Sequence, residues 1–165
     1  MALELSTAGI LVKWAVEATA GTRPTTGYAT IRGVKSIPEY NPTPNNLDAT
    51  DLSAIEWKWS IPGLKDPGGA LGLTVNDYAA FRADWSAMLT AYKTAKADGK
   101  GLWVEYMIPD LTDGAASAPK KQSYFYPAIP SELGFNGAEV DAVLENVAYF
   151  MPNGAPVWAE QSTAS

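Results

Sequence analysis

The sequence predicts an α+β fold that is mainly β, and three observations carry that expectation. Apolar residues alternate with polar ones over several short runs, the period of a half-buried strand. One longer segment instead repeats its apolar positions at helical spacing. Clusters of Gly, Pro, Asn and Asp separate the runs, each able to turn the chain.

In "ILVKWAV" the residues Ile10, Val12, Trp14 and Val16 face one way and Leu11, Lys13 and Ala15 the other, which predicts a first strand. "GTRPTTG" supplies turn residues, and "YATIRGVKSI" resumes with β-branched and aromatic residues, so these runs are expected side by side. "AIEWKWSI" alternates again, with Ile55, Trp57, Trp59 and Ile61 opposite Glu56, Lys58 and Ser60. Its apolar face is expected in the core, the two indoles packing against Trp85 and Tyr92.

The stretch "PGLKDPGG" then reads as a hinge built from Pro62, Gly63, Lys65, Asp66, Pro67, Gly68 and Gly69, before "ALGLTV" forms another strand. Thr74 with Asp77, or Asn76 alone, offers an N-cap for a helix over residues 77–98, whose apolar positions are Tyr78, Phe81, Trp85, Met88, Leu89 and Tyr92. Gly99 is positioned to end it. "GLWVEYMI", "SYFYPAI" and "EVDAVLENVAYF" follow as three more strands. Two segments fit no element: the tail beyond Pro156, and the proline-punctuated "SIPEYNPTPNNLDATDLS", which reads as a long loop that orders when it binds.

Composition narrows function. At 165 residues one domain is expected, and 47% hydrophobic with 18% charged residues is globular composition. A net charge of −6 and a pI near 4.6 argue against gripping nucleic-acid phosphates. The N-terminus lacks a basic leader with an apolar run, and no segment reaches the roughly 20 apolar residues of a membrane span, so neither secretion nor membrane insertion is expected.

With no His and no Cys, the usual base, metal ligand and thiol nucleophile are missing. Glu56 and Glu105 could imitate a glycosidase pair, but read better as solvated strand residues. The glycines of "DPGG" lack the Lys-Ser/Thr of a phosphate loop, and Asp48 and Asp51 lack the spacing of a calcium loop. No enzyme, cofactor or metal is expected. An alternative is a carbohydrate-binding β-sandwich module stacking sugars on Trp57 and Trp59.

The run from "GILVKWAVEATAGTRPTTGY" through "IPGLKDPGGALGLTVN", with the single helix and the late "EVDAVLENVAYF", resembles the major tail tube proteins of long-tailed bacteriophages, particularly those infecting Gram-positive hosts. The resemblance spans nearly the whole chain. It implies a β-sandwich or barrel flanked by one α-helix, assembling as hexameric rings stacked into a hollow virion tube through which DNA reaches the host. A tape-measure protein, a tail terminator and tail-tip proteins would be the partners, with DNA passing unbound.

Within that reading the loop from Pro38 to Ser53, with Pro38, Tyr40, Pro42, Pro44, Leu47 and Leu52, orders on assembly. The strands Ala54 to Ile61 and Ala70 to Val75 would form a hairpin-like unit, with the hinge at a subunit contact. The acidic face of the last strand, Glu139, Asp141 and Glu145, would border the lumen and repel DNA, with Val140, Ala142, Leu144, Ala148 and Phe150 on its other face.

Overall fold

The computed structural model describes residues 4–163. The elements are β1 (Leu11–Val16), β2 (Ala29–Ile31), β3 (Val34–Ser36), β4 (Pro44–Asp48), β5 (Ser60–Lys65), β6 (Leu71–Asn76), α1 (Ala79–Ala97), β7 (Leu102–Thr112), β8 (Lys121–Pro130), β9 (Glu145–Pro152) and β10 (Val157–Glu160).

Seven strands follow the order β2-β1-β7-β8-β9-β6-β3, every neighbouring pair antiparallel. β2 and β3, the two ends of that order, are consecutive pieces of chain separated only by Arg32 and Gly33. One kinked segment therefore joins both edges, and the sheet is a nearly closed barrel. β8 is long enough to serve two partners on one side: its Ala128 to Pro130 pair with β9, and its Gln122 to Phe125 with β10.

The barrel interior explains the alternation in the sequence. Leu71, Leu73 and Val75 of β6 are buried, as are Asn146, Ala148 and Phe150 of β9. Helix α1 adds Phe81, Trp85 and Met88, all within 1% of complete burial. The Trp85 ring lies 5.1 Å from that of Phe150, and its Nε1 donates to the Ser131 carbonyl at 3.0 Å, so the indole is both packed and satisfied.

The helix ends as expected. Gly99 adopts φ +72°, its N–H bonds the Lys96 carbonyl, and the Lys100 N–H reaches back to Ala95, a Schellman arrangement. The start differs. Thr74 and Asn76 belong to β6, opposite Val147 and Glu145, and the Asp77 carboxylate is taken by Arg82 and Asn146. Tyr78 occupies the cap position with no side-chain bond to the helix, and its ring is exposed rather than in the core.

Four expectations are corrected. The strand expected at Ala54 to Ile61 lies at Ser60–Lys65, so Pro62, Gly63 and Lys65 of the expected hinge are strand residues and the turn is confined to Asp66 through Gly69. β5 pairs with β4, not with β6, which removes the expected hairpin between Ala54–Ile61 and Ala70–Val75. The segment from Pro38 to Ser53, read as a loop without secondary structure, contains β4. The tail beyond Pro156 forms β10.

The strand expected over "EVDAVLENVAYF" is β9, and it begins only at Glu145. Residues 131–144 form a long irregular connection in which Gly137 and Asp141 have φ +86° and +58°, incompatible with a strand. Glu139 and Asp141 therefore share no strand face with Glu145, and Val140 and Leu144 are exposed in the same connection.

A candidate assembly surface

β4 and β5 form a two-stranded sheet of their own, paired through Leu47 with Ile61 and Asp48 with Ser60. The pairing continues toward the tip, where Ala49 N–H bonds the Trp59 carbonyl at 2.9 Å and Trp59 N–H bonds Thr50 Oγ1 at 2.9 Å. Gly63 is needed here for close approach, since a Cβ would sit 3.2 Å from the Asn45 carbonyl oxygen and 3.2 Å from Leu47. At the tip Asp48 and Asp51 accept the N–H groups of Thr50 and Ser53. Hydrogen bonds from those residues hold both carboxyls below the ordinary aspartate range.

This hairpin is an arm without a core. Leu52, Ile55, Trp57, Trp59, Ile61 and Leu64 are all exposed, Trp57 at 80% and Trp59 at 65%. The expectation that both indoles pack against Trp85 and Tyr92 is overturned: Trp85 packs on Phe81 and Phe150 inside the barrel. A two-stranded ribbon has only one covered face when something lies on it, and here both sides meet solvent. Each such side chain would gain about 1.5–3 kcal/mol on full burial against a partner surface.

At the root of the arm the chain becomes well packed. Tyr40 is half-buried, edge-on to Tyr124 at 5.9 Å and to Tyr126 at 5.2 Å. Tyr106 and Tyr126 share a hydroxyl hydrogen bond of 2.6 Å, and burial pushes the Tyr106 phenol up to about 12 and Tyr126 well above its usual value. Pro38 and Pro42 are half-buried beside this cluster, while Pro44, Leu47 and Leu52 run outward along the arm. Asp66 closes the return turn by accepting the Gly68 N–H at 2.9 Å, with Gly68 at φ +82°.

The structure thus brings the expected loop and hinge together as the two sides of one arm and its root. It does not bring the acidic residues together. Glu145 forms an ion pair with Lys35, whereas Glu139 and Asp141 are exposed in the 131–144 connection. Sequence reasoning missed two surfaces. Phe135, Val140 and Val143 are exposed on that connection, and Trp158 of β10 lies beside Tyr124 at 4.9 Å. The only sequence signal for either was an apolar residue inside a segment that lacked strand punctuation.

The weighed pairing of Glu56 with Glu105 is not formed. Glu56 lies at the arm tip and Glu105 in the barrel wall, and Glu105 is fully buried rather than solvated. Among the described residues no cluster of three Asp, Glu, His or Cys side chains is placed to hold a metal, Asp48 and Asp51 included. No described helix is long and apolar enough to cross a membrane.

No protein-family model and no curated protein matches the chain in sequence. Solved structures do match it in three dimensions. A chain of the six-fold symmetrised baseplate of the anti-feeding prophage aligns with a TM-score of 0.62 at 13% identity, covering 97% of this chain and 98% of that one. A chain from the tail of an empty gene transfer agent particle, refined helically with C6 symmetry, aligns with a TM-score of 0.54 at 11% identity over 94% and 99% of the two chains. A chain from the virion of the native gene transfer agent particle gives 0.54 at 12% identity over the same shares. The fold is tail tube-like: mainly β, a nearly closed antiparallel barrel of seven strands with one helix.

Proposed function

We propose that this chain is a structural subunit of a tail tube, of the long-tailed phage type its sequence resembles, which assembles with itself into hexameric rings stacked into a hollow cylinder. The observation that carries the reading is the arm. A hairpin exposing Ile55, Trp57, Trp59, Ile61 and Leu64 is a hazard on a solitary protein and an asset on one that polymerises. The six-fold and helical symmetry of the particles whose chains share this fold supports a ring, and a ring needs two different surfaces per subunit.

In this reading the chain carries no catalytic step. Its partners are further copies of itself, a tape-measure protein within the tube, and terminator and tip proteins at its ends; it resides in the virion. DNA passes through, and a net charge of −6 suits a wall that must not bind phosphates. Glu139 and Asp141, exposed on the 131–144 connection, are the acidic groups we assign to the lumen, while Glu145 stands apart from them in β9, held by Lys35.

The test is negative-stain microscopy of the purified protein at rising concentration, with its mass in solution from light scattering. Rings or tubes are expected from the native chain and not from a Trp57→Ser/Trp59→Ser/Ile61→Ser variant, whose melting temperature should stay close to native because β4 and β5 form a separate sheet and all three side chains are exposed. Native-like assembly of that variant would refute the role of the arm.

Exposure of Trp57 and Trp59 also favours a second reading, a carbohydrate-binding surface. A glycan screen followed by tryptophan fluorescence separates the two: saturable quenching by a sugar, with no assembly at any concentration, would establish it.

A further inference from the structure

An adhesive arm needs a receptor, and the barrel carries a cleft of matching chemistry. Between the arm root and β10 lies a cleft of about 680 Å³ whose walls include Tyr40, Pro42, Lys65, Tyr124, Ala155 and Trp158. Its aromatic wall is fixed by edge-to-face packing, Trp158 on Tyr124 at 4.9 Å and Tyr124 on Tyr40 at 5.9 Å. Lys65 gives it a cation that makes no ion pair among the described residues. The arm tip offers the complement. Ile55, Trp57 and Trp59 are exposed, and Glu56 between them is equally without an ion pair among the described residues.

We infer that this cleft receives the Ile55 to Trp59 segment of a second copy of the chain, with an indole stacked on Tyr124 and Trp158 and Glu56 paired with Lys65. A chain cannot fill its own cleft this way. Lys65 stands at the root of the arm and Trp59 six residues along it, a separation of about 20 Å at strand rise. The contact is therefore made in trans. Because tip and cleft are different surfaces, every copy both gives and receives, which is the head-to-tail contact that closes rings or propagates tubes. The inference rests on the tail-tube reading for what is built, and it adds where the arm lands.

The absence of native cysteine makes the test direct. Lys58→Cys places a thiol at the exposed tip and Ala155→Cys one at the exposed cleft wall. The two single variants are mixed under assembly conditions and treated with a short bis-maleimide. A mixed dimer is expected, and it should vanish when either variant is incubated alone. In parallel, Glu56→Lys and Lys65→Glu should each weaken assembly about tenfold, and the double exchange should restore it. Rings in the microscope with no mixed crosslink and no rescue would overturn the docking site while leaving the tube reading intact. A chain that stays monomeric at every concentration would overturn both.

Discussion

Asp77 and Arg82 form a two-pronged ion pair at the start of α1, with Nε donating to Oδ1 at 2.5 Å and Nη2 to Oδ2 at 2.6 Å. The Asp77 side chain is 2% exposed and also accepts from Asn146 Nδ2 at 3.3 Å. That same Nδ2 donates to the Gly134 carbonyl at 2.8 Å, and the Asp77 N–H bonds the Leu144 carbonyl at 2.9 Å. The Asp77 carboxylate thus ties the end of β6 to α1 and to β9, its backbone N–H holds one end of the 131–144 connection at Leu144, and Asn146 holds the other near Gly134.

The pair sets an acid limit on stability. Hydrogen bonding by Arg82 outweighs the opposing effect of burial and holds the Asp77 carboxyl below its ordinary value of 3.8. The unfolded chain therefore binds this proton more readily than the folded one. The contribution is complete above the unfolded value and is lost as pH falls below it toward the lowered folded value. Asp84, held by Arg32, shifts in the same direction. Thermal melts from pH 7 to 2 should show a plateau followed by an acid decline, and Asp77→Asn should lower the plateau and flatten the decline. An acid limb of unchanged steepness would remove Asp77 from this role.

Much of the barrel is legible in the sequence because it obeys a local rule and a global one together. Leu71, Leu73 and Val75 alternate, and a ladder with β9 places all three inside. Ile55, Trp57, Trp59 and Ile61 alternate just as well and stay outside. Alternation reports that residues share a face; whether that face is covered depends on pairing many residues away. The same gap misplaced the start of β9, whose pattern continues back through Glu139 although its ladder starts where Glu145 meets Asn76. For the candidate assembly surface, the arm and its root were legible as an odd proline-rich insertion. The cleft was not, because Tyr40, Lys65, Tyr124 and Trp158 converge only when β10 returns to β8.

Gly33 is the point where the barrel closes, and it admits no side chain. Its φ is +84°, and a Cβ there would lie 2.6 Å from Tyr78 Cε1 and 3.2 Å from the Asn76 carbonyl oxygen, while its own carbonyl accepts the Asn76 N–H at 2.8 Å. Gly33→Ala should cost about 1–2 kcal/mol from the left-handed backbone alone, with a further penalty for moving the Tyr78 ring. Adding Tyr78→Ala should return only the second part. Equilibrium denaturation of the single and double variants measures both, and an unchanged midpoint for Gly33→Ala would show that the β2–β3 junction is not so constrained.

Glu105 answers a question its burial raises: a carboxylate with no solvent must have donors. Both come from one residue near the C-terminus, Ser162, whose N–H reaches Oε1 at 3.1 Å and whose hydroxyl donates to Oε2 at 2.6 Å. The neighbouring backbone is stitched down as well, Gln161 N–H to the Lys121 carbonyl at 3.0 Å and Thr163 N–H to the Thr25 carbonyl at 3.1 Å. Residues 161–163 thus form a strap sealed over the barrel wall, continuing from β10, which forms one wall of the aromatic cleft. Ser162→Ala removes the stronger donor and leaves a buried acceptor short, a cost of roughly 1–3 kcal/mol. Hydrogen exchange should quicken across residues 157–163 while the amides of α1 keep their native protection. Unchanged exchange in the strap would mean that Glu105 finds its compensation elsewhere, and that the C-terminal segment is held by its backbone bonds alone.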